Sequence, residues 1–123
     1  MIYICRTLIK PGRFWFTLPK PIHEEYYCTQ DTWLLMAIIE TKSFCIWLTD
    51  NIQSIDDIAS TEKAGSEWAV TKPLRRPSRT EIVIPHKFCE KMNWTYPRYI
   101  TIEPAEPRKL IIKELFTNGT NSK

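Results

Sequence analysis

Apolar and polar residues alternate in short runs along most of the chain, the period of two expected of strands with one buried face. In "TEIVIP" (80–85), Ile82 and Ile84 fall on one face and Pro85 closes the run. "EWAVTKPL" (67–74), "RYITIE" (98–103) and "RKLIIKEL" (108–115) read as further strands. "RRPSR" (75–79) and "PAEP" (104–107) read as turns, since proline fixes its own φ and donates no backbone N–H. "HKFCEKMNW" (86–94) breaks the alternation: Phe88 and Met92 stand four apart, on one face of a short helix. Asn93 tolerates the left-handed conformation that ends such helices. The unit is strand–turn–strand–helix–strand–turn–strand.

The first half carries the same succession. "IYICRTL" (2–8), the turn "KPGR" (10–13) and "FWFTLP" (14–19) precede the helix "KPIHEEYY" (20–27). "WLLMAIIE" (33–40), "TK" (41–42) and "SFCIWL" (43–48) follow. Pro21 suits a first helical turn, and Glu24 and Glu25 are expected near the positive end of that helix. Sliding the chain by 66 residues aligns the halves without a gap. Leu8/Leu74, Pro11/Pro77, Arg13/Arg79, Pro19/Pro85, Glu24/Glu90, Thr29/Thr95, Glu40/Glu106 and Ile46/Ile112 are identical. Phe16/Ile82, Leu18/Ile84, Ile22/Phe88 and Met36/Ile102 keep their apolar type. The expectation is an internal duplication: a first repeat over 1–50, a polar linker over 51–66, a second repeat over 67–115 and a disordered tail over 116–123.

Two stretches, "RTEIVIPHKFCEKMNW" (79–94) and "YITIEPAEPRKLIIKEL" (99–115), resemble the SpoVT/AbrB swapped-hairpin domain of AbrB-type regulators and MazE-type antitoxins. Ile84 and Pro85, Phe88 and Met92, Asn93, Trp94 and Leu110 to Lys113 take the places of that pattern. The first half matches through Leu18, Pro19, Ile22 and Tyr26, but Tyr27 stands where the family has Gly or Asn. The resemblance implies a mainly β fold with short helices. Its two swapped-hairpin repeats would interleave within one chain as a pseudo-dimer barrel, where family members pair as homodimers. A linker of this length spans about 20–25 Å, enough to join interleaved halves. The chain is then a monomeric pseudo-dimer or itself pairs as a homodimer. The resemblance also implies a DNA-contacting first hairpin.

Charge is uneven. Residues 1–50 are neutral, 51–66 carry −2 and 67–123 carry +5, which gives the net +3 of the chain. Lys72, Arg75, Arg76 and Arg79 cluster at one strand–turn–strand corner; Arg6, Lys10 and Arg13 mark the equivalent corner. In a two-fold arrangement both corners fit one face, and a basic face follows phosphates and reads bases. The expected function is therefore a transcriptional regulator that binds double-stranded DNA through these seven residues. The second corner is expected to dominate, since Ile9 and Lys10 stand where it has Arg75 and Arg76. Alternation places Trp15 away from Phe14 and Phe16, a candidate contact, with Glu81 as its outward counterpart. The alternative is an antitoxin-like or adaptor module, bound to a protein partner, whose first repeat has lost DNA contact. The eight residues after Leu115 are short for an antitoxin's partner-binding tail, which favours the regulator.

The remaining chemistry is sparse. Cys5, Cys28, Cys45 and Cys89 form no C-x-x-C pair and are expected as buried apolar side chains rather than metal ligands. There is no P-loop and no recognisable nucleophile motif, so neither an enzyme nor a cofactor is expected. No apolar run approaches the ~20 residues that span a bilayer, and the start has no signal-peptide pattern. The expected location is cytoplasmic.

Overall fold

The computed structural model describes residues 1–10, 13–26, 28–40, 43–57, 67–92, 99–106 and 108–115. Over these the protein is mainly β with short helices. The strands are β1 (Tyr3–Arg6), β2 (Leu8–Lys10), β3 (Arg13–Thr17), β4 (Trp33–Glu40) and β5 (Ser43–Thr49) in the first half. In the second they are β6 (Trp68–Thr71), β7 (Leu74–Arg76), β8 (Arg79–Ile84), β9 (Tyr99–Glu106) and β10 (Lys109–Glu114). Helix α1 (Lys20–Glu25) follows β3, α2 (His86–Lys91) follows β8, and residues 54–57 form one further turn.

The strands form two antiparallel sheets, in the orders β1-β9-β10-β5-β4-β6 and β2-β3-β8-β7. Each sheet mixes strands from both halves. β1 pairs with β9 and β6 with β4, while β3 pairs with β8 and β5 with β10. The registers carry the 66-residue offset. Met36↔Ile46 in one hairpin corresponds to Ile102↔Ile112 in the other, and Met36↔Ala69 to Ile102↔Tyr3. The irregularity between Ile38 and Glu40 recurs as Leu110 pairs with Pro104 and Lys109 with Glu106. Two pairs map onto themselves under the offset, Phe16↔Ile82 and Cys45↔Ile111.

One core lies between the sheets. Phe14, Phe16, Ile82 and Ile84 from the smaller sheet meet Leu34, Met36, Phe44, Ile46, Ile100, Ile102, Leu110 and Ile112 from the larger. Both helices face this core through the expected anchors, Ile22 and Tyr26 for α1 and Phe88 and Met92 for α2. Pro19 and Pro85 occupy the N-cap positions of the two helices, Pro85 directly after β8 and Pro19 with Leu18 between it and the end of β3. A second cluster lies on the other face of the larger sheet, where Ile55 covers Leu35, Ala37, Cys45 and Trp47. Cys28, Cys45 and Cys89 are buried and Cys5 half-buried, all as free thiols. Burial pushes the Cys89 thiol up to about 11, so at neutral pH it is a protonated, apolar side chain.

Four local expectations need correction. Residues 2–8 and 67–74 are not single strands: each breaks, at Thr7 and at Lys72–Pro73, and its two parts enter different sheets. Pro73 cannot extend a ladder because it has no N–H. The segment "RRPSR" is not all turn: Arg76 pairs with Arg79 across Pro77–Ser78 alone. The first three residues of "PAEP" do not turn the chain, because β9 runs through Pro104 to Glu106, and Pro107 lies outside the described residues. β1 pairs only as far as Ile102, so Pro104 lies where β9 has lost that neighbour and an absent N–H is tolerated. Glu24 and Glu25 lie in the last turn of α1, away from its positive end, because the helix has only six residues. The expectations at Pro11–Gly12, Tyr27, Thr41–Lys42, Asn93–Trp94, most of the linker and the tail lie outside the described residues.

The sharp reversal between β9 and β10 depends on Arg108, the non-glycine residue with a left-handed backbone (φ 64°) among those described. Its carbonyl accepts the Leu48 N–H at 2.8 Å, and its Nε donates back to the Leu48 carbonyl at 2.9 Å. Its guanidinium also stands 3.5 Å from Asp50, which accepts the Thr32 hydroxyl. These bonds tie the second-half hairpin to the end of β5 in the first.

Candidate nucleic-acid interface

The geometry of the smaller sheet follows from alternation. Phe14, Phe16, Ile82 and Ile84 point into the core, so the residues between them point out. On the outer face, Leu8 pairs with Trp15, Lys10 with Arg13, Trp15 with Val83, Thr17 with Glu81, Leu74 with Glu81 and Arg76 with Arg79. Lys10 and Arg13 therefore share a face with Arg76 and Arg79, all four exposed. Arg13 and Arg79 lie three residues to either side of the Phe16↔Ile82 pair. Six residues of strand separate the corners by ~20 Å.

The corners have different chemistry. At the first, the Arg13 guanidinium lies 4.9 Å and the Lys10 ammonium 6.0 Å from the Trp15 ring centre. The half-buried ring orders two cations without neutralising them. At the second, Arg79 Nε donates to Glu81 Oε2 at 2.9 Å, and Arg76 Nε lies 3.6 Å from Oε1. The hydrogen bond from Arg79 holds the Glu81 carboxyl below the usual glutamate range, assisted by the charges of both arginines and opposed by partial desolvation. Glu81 thus takes the outward strand position expected of Trp15's counterpart, but it does not face open solvent. It is only 7% exposed, because the two arginine side chains fold over it.

A lowered carboxyl pKa fixes the sign of one pH effect. The stability Glu81 contributes is present above the ordinary glutamate pKa and is lost as the pH falls below it. Both arginines are about half exposed, so the contribution is screened to about 1 kcal/mol or less. Glu81→Gln is therefore expected to flatten the acid side of the stability profile measured by urea denaturation between about pH 3 and 6. An unchanged profile would remove the pair from the acid linkage.

Three expected contacts lie elsewhere. Arg6 ends β1 in the larger sheet, opposite Tyr99. Arg75 pairs with the buried Thr80, so it leaves β7 on the side opposite Arg76. Lys72 donates to the Gln30 carbonyl at 2.8 Å and lies 4.7 Å from the Trp33 ring centre. Lys72 and Arg75 line a hollow of about 280 Å³ with Thr29, Gln30, Thr32 and Leu74. Leu8, Leu74 and Val83 also belong to the outer face of the smaller sheet. Ordinary apolar alternation left them without a signal in the sequence.

Among the described residues no three His, Cys, Asp or Glu side chains converge as a metal site, and no helix is long and apolar enough to cross a membrane. No protein-family model, curated protein or solved structure matches the chain.

Proposed function

We propose that the protein is a DNA-binding transcriptional regulator of the SpoVT/AbrB swapped-hairpin class, with two repeats folded as an intramolecular pseudo-dimer barrel. The constant 66-residue offset through both sheets supports the repeat, with Phe16↔Ile82 and Cys45↔Ile111 on its two-fold axis. The observation that carries the function is the gathering of Lys10, Arg13, Arg76 and Arg79 on one exposed sheet face. Such a face, with corners ~20 Å apart, can follow a phosphate backbone. Glu81 compensates one charge at the second corner, so the larger share belongs to the first, the reverse of the order expected from residue type alone.

The test is fluorescence anisotropy with mixed-sequence duplexes at two salt concentrations. Four phosphate contacts imply a log–log salt slope of about −3.6. The pair Lys10→Ala and Arg13→Ala is expected to reduce its magnitude by nearly 2, and Arg76→Ala with Arg79→Ala by less. Glu81→Gln is expected to strengthen binding. Unchanged affinity in both double variants would refute the face. An absence of duplex binding at low salt would transfer the case to the partner-binding alternative.

A further inference from the structure

The geometry points to a second anion site, separate from the outer face of the smaller sheet: the hollow between the loop after α1 and the β6–β7 connection binds a small phosphorylated ligand. Arg75 and Lys72 stand on one wall, and Thr29, Gln30 and Thr32 on the other. Among the described residues no acidic side chain lines it. The loop is already ordered. The Thr29 N–H donates to the Thr32 hydroxyl at 2.8 Å, the Asp31 N–H to the Thr29 hydroxyl at 3.1 Å, and the Thr32 hydroxyl to Asp50.

Lys72 is ordered too. Its bond to the Gln30 carbonyl uses one of three ammonium donors, and the Trp33 ring supports its stem and charge. The Arg75 guanidinium, whose fork matches a phosphate bidentately, is exposed, with no hydrogen bond or ion pair to a described residue. A preorganised ammonium, a guanidinium with no hydrogen-bond partner among the described residues and a side-chain amide form a donor set for a phosphate dianion. A volume of about 280 Å³ is at the small end for ligand pockets. It fits a phosphate carrying a small organic group. The site lies on the side of β7 opposite Arg76, so it functions independently of DNA contact.

The experiment is a two-dimensional amide NMR titration of the full chain at constant ionic strength. The probes are inorganic phosphate, a nucleoside 5′-monophosphate, a pentose phosphate and a short DNA duplex, with chloride as control. The expected result is saturable shifts at Thr29–Thr32 and Lys72–Arg75 with at least one phosphorylated probe. Arg75→Ala should weaken that binding by about tenfold or more, the loss of a charge-assisted contact. Arg76→Ala, on the opposite side of the strand, should leave it unchanged. Shifts that chloride reproduces, equal losses in both variants, or no saturation by any phosphorylated small molecule would overturn the site. Duplex-induced shifts in this hollow without small-molecule binding would also overturn it, making these residues part of a DNA contact.

Discussion

Phe88→Ala is expected to destabilise the protein by about 3–5 kcal/mol. Phe88 is the largest anchor of α2 and is fully buried. Its ring meets Phe44 edge-on, at 5.6 Å between centres and 77° between planes, the geometry favoured by the aromatic quadrupole. A six-residue helix has almost no stability of its own, so α2 is held by Phe88, Cys89 and Met92 against the core. Truncation removes burial and leaves a cavity between the sheets that close-packed neighbours fill only in part. Ile22 holds the corresponding place in α1, and its replacement by alanine should cost about 2–5 kcal/mol. Equilibrium urea unfolding measures both. A loss below about 1 kcal/mol for Phe88→Ala would exclude it from the core.

Cutting the chain between the halves is expected to abolish folding of each piece as a monomer. In a fragment ending near residue 57, β1 has lost β9, β3 has lost β8 and β5 has lost β10. What remains is two isolated hairpins and a six-residue helix with an uncovered apolar face, below the size at which a single core sustains a fold. The fragment from residue 67 has the reciprocal losses. Each fragment alone should give collapsed NMR dispersion or self-associate through the strand edges that the cut leaves open. An equimolar mixture should recover the intact chain's spectrum. A well-dispersed, monomeric spectrum from either fragment would refute interdependence of the halves.

The sequence is most legible where side-chain type alone decides position. Alternation at Ile82 and Ile84, and the four-residue spacing of Phe88 and Met92, fix which faces are buried, and the core uses them so. The proline after each central strand marks both helix starts. The errors fall where pairing partners decide. Pro104 reads as a turn until the end of β1 leaves β9 without a neighbour there. Arg108, whose residue type does not favour a left-handed backbone, takes one where Leu48 and Asp50, some 60 positions away in sequence, bind it. Glu81 has a surface residue's composition and strand phase. Only the return of Arg76 and Arg79 across a two-residue turn covers it. Likewise Lys72 and Arg75 belong to the basic run in sequence, but the break at Pro73 and the alternation of β7 turn them away from it.

The 66-residue offset maps Trp15 onto Glu81, and Leu35 and Trp47 onto Thr101 and Lys113. Two identical subunits can never differ in this way, since every substitution in one appears in the other. Joining both halves in one polypeptide removes that constraint. One half can place an aromatic support under its cations while the other neutralises its own. One half can also clothe its outer sheet face with the segment around Ile55 while the other leaves polar residues there. Under the proposed function, a target met by such a surface need not be palindromic; the two halves in any case do not part on dilution, because they share one molecule's effective concentration.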